Sequence, residues 1–163
     1  LPDKGPFVIR YPRGRGVLAD WHCELEEVKV GTGRKLHDGK DVAVLSFGPV
    51  GNNVEEAIEM METSTPQLSI AHYDMRFVKP LDTEILKDVA QQFDRIITIE
   101  DGAREGGFGS AVLEWLEDNG YRKNVVRLGL PDHFVEHGTV AELQHIVGID
   151  AEGIIDAVND IIK

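Results

Sequence analysis

Apolar runs typical of buried strands alternate with helical patterns through most of this chain, and that alternation limits the folds it can adopt. Four short runs rich in β-branched residues indicate strands, and apolar residues at helical spacing follow each one. The runs are VAVLSF from Val42, LSIAHYD from Leu68, RIITIE from Arg95 and NVVRL from Asn124. Parallel strands joined by helices need right-handed crossovers and a sheet covered on both faces. The sequence therefore predicts a three-layer α/β/α domain.

A fifth strand is predicted over residues 34–36, just before the first buried run. Asp38 and Gly39 stand between two β-compatible runs, which is the usual signal of a two-residue hairpin. We therefore expect residues 34–36 to pair antiparallel with residues 42–47. The predicted architecture is a mostly parallel five-stranded sheet with one antiparallel edge strand.

Polar residues that cap helices mark where several of the helices should begin. Asn53 and Thr139 are each followed three residues later by a glutamate, which is the pattern of a capping box. Asp82 and Asp150 precede two further apolar stripes, and Gly148 is placed to end the helix that Thr139 begins.

Charge divides the chain into unlike parts. The 163 residues carry a net charge of −12, but residues 1–16 alone carry +3. We interpret residues 1–16 as the tail of a preceding domain, residues 17–25 as a linker and residues 26–163 as one domain. A short strand is expected at residues 7–11. The acidic domain argues against nucleic acid and anionic membranes as partners.

The first residue of the chain, its apolar segments and its cysteine content indicate the cellular compartment. The chain opens at Leu1 without methionine, which suggests a piece of a longer protein, and it has neither a signal-peptide pattern nor a long apolar segment. Cys23 is the only cysteine, so no internal disulfide can form, and we interpret it as an inert small side chain. These features fit a cytoplasmic protein.

The stretch EDGAREGGFGSAVLEWL raises the question of a phosphate site. A strand feeds a glycine-rich turn that opens a helix, where backbone N–H groups favour an anion. However, Phe108 stands where a Walker loop has its lysine, and Val112 where a dinucleotide fingerprint has its third glycine. Three carboxylates would also repel an anion: Glu100, Asp101 and Glu105. We favour a structural interpretation, in which glycines let the helix approach a neighbouring strand or domain: Gly106, Gly107 and Gly109.

Two other patterns involve metal and anion chemistry. His133, Glu136 and His137 match the H-x-x-E-H zinc pattern, but a proline and a glycine flank them, so we expect a loop and no metal site. The convincing anion-binding group is in the basic opening, where Arg10 and Arg13 flank a Tyr-Pro turn. No acid, base and anion hole assemble in the rest of the chain, so no catalytic residue is predicted.

Five segments, in order and spacing, are similar to one enzyme family. They are FVIRYPRG, DVAVLSFGPVGNNVEEA, YDMRFVKPLD, ITIEDGAREGGFGSAV and RLGLPDHFVEHGT. From about Gly5 to its end, the chain resembles the C-terminal region of the 1-deoxy-D-xylulose-5-phosphate synthases. DMRFVKPLD and GLPDHFVEHGT are specific to these synthases, whereas the α/β/α pattern is shared with all transketolase-like enzymes and with 2-oxoacid dehydrogenase β subunits.

The resemblance implies a homodimeric transferase that uses thiamine diphosphate and magnesium. Such an enzyme decarboxylates pyruvate and transfers the two-carbon unit to glyceraldehyde 3-phosphate, for isoprenoid, thiamine and pyridoxal synthesis. In the family, both cofactors are bound by domains that this chain lacks, so the fragment should bind neither, be inactive alone, and serve packing and dimer stability. Arg13 matches the arginine that contacts the acceptor phosphate, with Arg10 and Tyr11 as weaker candidates. The glycine loop should then face other protein.

Two alternatives remain open. The chain could be the C-terminal domain of another transketolase-like enzyme or of a 2-oxoacid dehydrogenase β subunit, although DMRFVKPLD argues against both. A free-standing α/β interaction module would equally explain the absence of a site.

Overall fold

Strands and helices alternate along the chain as the sequence predicts. The computed structural model describes residues 26–163 and, before them, Gly5, Pro6, Val8, Ile9, Tyr11, Gly16, His22 and Glu24. The elements are β1 (Arg34–His37), β2 (Val42–Phe47), α1 (Gly51–Ser64), β3 (Ile70–Asp74), α2 (Thr83–Gln92), β4 (Arg95–Ala103), α3 (Phe108–Asp118), β5 (Asn124–Leu130), α4 (Val140–Val147) and α5 (Ala151–Ile161).

The five strands form one mixed sheet in the order β1-β3-β2-β4-β5. The strands β3, β2, β4 and β5 are parallel, and β1 is antiparallel to β3 at the edge. Val42 and Val44 pack with α1 and α5 on one face, whereas Ala43 and Leu45 pack with α2 and α3 on the other. Because successive strand residues point to opposite faces, β2 is buried on both. The predicted three-layer α/β/α class is confirmed.

The position of β1 differs from the predicted hairpin. Arg34 pairs with Asp74 and Lys35 with Tyr73, so the neighbour of β1 is β3 and not β2. Both sides of β2 are taken by parallel partners, and the segment after β1 crosses the start of β3, where the Lys40 and Asp41 N–H groups donate to the Ser69 carbonyl. At Gly39 a β-carbon would collide with the β3 backbone. The Asp-Gly pair therefore serves a close crossing and not a hairpin turn.

Three of the four predicted helix starts are confirmed. The side chains of Asp82, Thr139 and Asp150 cap α2, α4 and α5, Thr139 forms the complete capping box, and Gly148 ends α4 in the left-handed conformation. The Asn53 cap is wrong, because α1 begins earlier, after Val50. The Asn53 amide instead donates to the Ile149 carbonyl at 2.8 Å, which ties α1 to the turn before α5.

The described residues of the basic opening belong to no strand or helix. Of the strand expected at residues 7–11, the structure describes Val8, Ile9 and Tyr11, which belong to no strand and are 71–89 % exposed. The other two residues lie outside the described part of the chain. A strand needs a neighbour to pair its backbone groups. Across the described residues, no helix has the length and hydropathy that crossing a membrane requires.

Candidate functional site

The strand order marks the place where a sheet of this type would bind a ligand. The chain runs from β2 to β3 on one side and then to β4 on the other side of β2. Open α/β sheets bind ligands at the carboxyl ends of the strands, in the crevice where the order reverses. Here that crevice lies between the carboxyl ends of β2 and β4, and the glycine-rich loop follows β4.

The N-terminus of α3 is occupied by a carboxylate of the chain itself. Glu100, in β4, is only 5 % exposed. Its two carboxylate oxygens accept hydrogen bonds from the backbone N–H groups of Phe108 and Gly109, both at 2.9 Å. A helix N-terminus favours a negative charge at this position. Glu100 therefore occupies the place that a phosphate would take, instead of merely repelling a phosphate as predicted.

The glycines of this loop allow that arrangement. At Gly107 a β-carbon would collide with the Ala103 carbonyl and the Glu100 carboxylate, and at Gly109 it would lie 2.5 Å from Thr98 Oγ1. The close approach of the α3 start to its neighbouring strand, predicted from the sequence, is confirmed. Gly106 meets nothing nearby and serves the turn through its φ of +76°.

Arg127, in β5, fixes the other side of the loop. Its guanidinium donates to the Arg104 carbonyl at 2.9 Å and to Ser110 Oγ at 2.8 Å. The Ser110 hydroxyl in turn accepts from the Gly106 N–H at 3.0 Å. The loop between β4 and α3 is therefore held by hydrogen bonds within the domain.

A buried serine and histidine form a second cluster with a partly exposed glutamate, on the opposite face of the sheet. His72, in β3, lies 2.8 Å through Nε2 from Ser46 Oγ, and its Nδ1 contacts Glu55 of α1. A carboxylate only accepts, so Nδ1 carries the proton and Nε2 accepts from the serine hydroxyl. Burial lowers the pKa of His72 below its ordinary value, against the opposing effect of Glu55. The histidine is therefore neutral at neutral pH.

This cluster has the residue types of a hydrolase triad but not the access. Ser46 and His72 are both 0 % exposed. A β-carbon at Gly51 would lie 2.8 Å from Ser46 Oγ, so the first turn of α1 closes over the hydroxyl. No carbonyl can approach the serine, and the cluster joins β2, β3 and α1.

Ser46, Glu55 and His72 are not singled out in the sequence analysis. The available signal was that Ser46 and His72 are polar residues within otherwise apolar strands. Val44 of β2 pairs with His72 of β3, and Ser46 lies two residues after Val44 on the same face of β2. The side chains of Ser46 and His72 therefore lie on one face of the sheet.

A third cluster lies at the turn between α4 and α5. His145 Nδ1 is 2.7 Å from an Asp150 oxygen and 3.8 Å from a Glu152 oxygen. Hydrogen bonding to Asp150 raises the pKa of His145, while the other Asp150 oxygen accepts from the Gly153 N–H and caps α5. The cluster is thus explained as a helix cap with an ion pair.

Of the remaining predicted site residues, Tyr11 and the zinc-pattern residues belong to the described part of the chain. Arg10, Arg13 and Cys23 lie outside the described residues, and Tyr11 is 80 % exposed. Residues 131–138 form a loop, as predicted, so the histidine pair of the zinc pattern has no helix to align it.

Fold and clusters together define a three-layer α/β domain whose ligand crevice is filled by its own carboxylate. The family described as "Transketolase, C-terminal domain" matches residues 31–154, and the chain belongs to this family. Its relatives in two bacteria carry the name of one particular enzyme. The chain is 59 % identical to the 1-deoxy-D-xylulose-5-phosphate synthase of Bacteroides thetaiotaomicron and 56 % identical to that of Phocaeicola vulgatus, in each case over 94 % of this chain and 24 % of the relative.

The chain thus spans about a quarter of the length of the curated relatives that it matches. Among solved structures, it is similar to a split-gene transketolase described as an inactive β4 tetramer. The TM-score is 0.76 at 32 % identity, over 83 % of this chain and 43 % of that one.

Proposed function

We propose that this chain is the C-terminal domain of a thiamine-diphosphate-dependent synthase that makes 1-deoxy-D-xylulose 5-phosphate and CO2 from pyruvate and glyceraldehyde 3-phosphate. The observation that carries the proposal is the 59 % identity over 94 % of the chain to a relative of that name. Within that protein, residues 1–16 end the preceding domain, residues 17–25 form the linker and residues 26–163 form the C-terminal domain. The complete enzyme is a homodimer of the cytoplasm, where both substrates are available.

The described residues do not fit thiamine diphosphate. The helix N-terminus best placed for a diphosphate, that of α3, already holds the buried Glu100 carboxylate. The candidate metal ligands at His145 are explained by the cap of α5. These features support a domain that stabilises the enzyme while other domains hold the diphosphate and magnesium.

Activity assays on the chain alone and on the complete protein test this proposal. With thiamine diphosphate and magnesium, the complete protein should form 1-deoxy-D-xylulose 5-phosphate from pyruvate and glyceraldehyde 3-phosphate, and the chain alone should form none. Ketol transfer from xylulose 5-phosphate without pyruvate would instead identify another transketolase-like enzyme. Product formation by the chain alone, or micromolar binding of thiamine diphosphate in titration calorimetry, would contradict the structural role.

Within the complete enzyme, we assign Arg13 to the phosphate of the aldehyde acceptor, with Arg10 and Tyr11 beside it. A charge-assisted hydrogen bond is worth roughly 1.5–3 kcal/mol, so Arg13→Ala should lower kcat/KM for glyceraldehyde 3-phosphate by about 10- to 150-fold. Arg13→Lys should recover part of the loss, because lysine keeps the charge without the planar fork.

The matched control is an acceptor without phosphate. If Arg13 binds the phosphate, Arg13→Ala should hardly affect turnover of glyceraldehyde itself, and pyruvate decarboxylation should change only a few-fold. An equal loss with both acceptors would show that Arg13 supports the structure of the site and does not bind phosphate.

A further inference from the structure

The segment that follows β3, in the stretch DMRFVKPLD, contains two acidic residues with clear structural roles. One Asp82 oxygen accepts from the first N–H groups of α2, and the other accepts from the Gly33 N–H at 2.8 Å. One Asp74 oxygen accepts from Arg34 Nε at 3.0 Å, which ties the edge strand β1 to β3. Both carboxylates are thus engaged within the domain.

Arg76, between them, has an unusual backbone conformation. Its φ is +55°, and it is the one described residue other than glycine with a positive φ. Such a conformation is uncommon for a residue with a β-carbon. The Arg76 N–H donates to the other Asp74 oxygen at 3.2 Å, which holds the turn. The direction of the Arg76 side chain is therefore set by the fold.

The Arg76 guanidinium makes a single long ion pair among the described residues. Its side chain is only 29 % exposed, yet within the described part of the chain no group accepts a hydrogen bond from it. Its contact is an ion pair in which Nε lies 3.8 Å from Asp74 Oδ2, the oxygen that already accepts from Arg34. A guanidinium has five N–H donors, so Arg76 has donors that no described residue occupies and that are available to a ligand.

Two arginine side chains lie next to the Asp74 carboxylate. Arg34 and Arg76 share one oxygen of Asp74, and the nearby Asp82 carboxylate is already engaged by backbone N–H groups, including that of Gly33. Residues 17–163 as a whole carry −15. The planar fork of arginine matches the paired oxygens of a carboxylate or phosphate. The carboxyl end of β3 lies beside that of β2, on the side of β2 away from the crevice between β2 and β4.

We propose that Arg76, with Arg34 beside it, forms an oxyanion-binding site at the carboxyl end of β3. The ligand is a carboxylate or phosphate group, supplied either by a free small anion or by an acidic side chain from another domain of the longer protein. This site goes beyond the proposed function, because no step of the condensation uses it.

The site should be open in the 163-residue chain, whichever source supplies the oxyanion. The test follows the side-chain Nε–H signals of arginine by NMR while inorganic phosphate, malonate or chloride is added at matched ionic strength. Arg76 should shift saturably with phosphate and malonate, with a Kd on the order of 1–10 mM, and not with chloride.

Variants identify the residue responsible. Arg76→Ala should abolish the saturable binding, and Arg76→Lys, which keeps the stem and the charge, should weaken it about tenfold. Arg122, an exposed arginine in the loop before β5, gives the matched control, and Arg122→Ala should leave binding unchanged. The proposal is wrong if chloride produces the same shift, if no saturable shift occurs, or if binding survives in folded Arg76→Ala.

The longer protein distinguishes the two sources. If a free anion is the ligand, phosphate should still shift Arg76 there. If an acidic side chain is the ligand, phosphate should not, and Arg76→Ala should lower the Tm of the longer protein more than Arg122→Ala does. No response and no difference in Tm would overturn the site. None of these measurements depends on synthase activity, so failure of the site and failure of the proposed function are distinguishable.

Discussion

The Glu100 cluster and the His72 cluster lie on opposite faces of the same sheet and close the domain in different ways. Glu100 places a carboxylate against the N-terminus of α3, where it accepts hydrogen bonds from two backbone N–H groups. His72 is buried as a neutral ring between Ser46 and Glu55. One cluster therefore depends on a buried carboxylate and the other on a buried neutral imidazole. Each resembles a functional site in sequence or in residue type, and in each the chain satisfies its own polar groups.

The largest effect is expected from Gly107→Ala, which tests the closeness of α3 to β4. The new methyl group would collide with the Ala103 carbonyl, which is backbone and cannot move aside, and with the Glu100 carboxylate. We expect a loss of about 3 kcal/mol in the free energy of unfolding, measured by urea denaturation.

Gly102→Ala is the matched control, because its methyl group would meet only a Glu100 oxygen, at 3.0 Å. Equal losses for the two variants would mean that the close approach at Gly107 does not limit stability.

The next largest effect is expected from removing the Glu100 carboxylate. Glu100→Ala would leave the Phe108 and Gly109 N–H groups buried without acceptors, so we expect a loss of about 2 kcal/mol in the free energy of unfolding. Glu105→Ala, which removes an exposed carboxylate of the same loop, should cost far less. If the two variants are equally stable, Glu100 does not cap α3.

Ser46→Ala should have a smaller effect, because the group lost from the other cluster is neutral. It removes the hydroxyl that donates to His72 and leaves Nε2 without that donor, at a cost of about 1 kcal/mol. Ser64→Ala, at an exposed hydroxyl near the end of α1, is the control for urea denaturation. A variant as stable as the control would show that the buried hydrogen bond adds nothing net.

The smallest expected effect is on the pH dependence of stability, to which His72 and His145 should contribute with opposite signs. Burial lowers the pKa of His72, so between its lowered pKa and the unfolded value of about 6.5 the unfolded chain binds more protons. Stability from His72 should therefore fall as the pH falls through that window. Ser46 and Glu55 contact the ring, with Asp74 and His37 acting at longer range.

His145 should behave in the opposite way. Its bond to Asp150 raises its pKa, so the folded chain binds more protons and stability from His145 rises as the pH falls through the raised value. The free energy of unfolding should be measured by urea denaturation between pH 8 and pH 5. His72→Gln should remove a loss of stability that occurs as the pH falls, and His145→Gln should remove a gain of stability over the same range. Unchanged slopes in His72→Gln would contradict the neutral buried histidine.

The amino-acid sequence alone determined the local elements and the class of the fold. Strands such as VAVLSF, and caps such as Asp82, Thr139 and Asp150, are set by residues a few positions apart, so their patterns are readable without coordinates. The family resemblance was equally accessible, because the matching segments occur in order along the chain.

Only the tertiary structure decided which distant groups meet. Residue 34 pairs with residue 74, so the edge strand lies beside β3 and not in the predicted hairpin. Ser46 reaches His72 across 26 positions, and Asn53 bonds a carbonyl 96 positions away instead of capping its own helix. Glu100 bonds residues only 8 and 9 positions ahead, yet its role depends on how α3 packs against β4. Periodicity specifies which face of an element is buried, whereas the partner of a polar group is fixed only when the packed layers bring donor and acceptor within hydrogen-bonding distance.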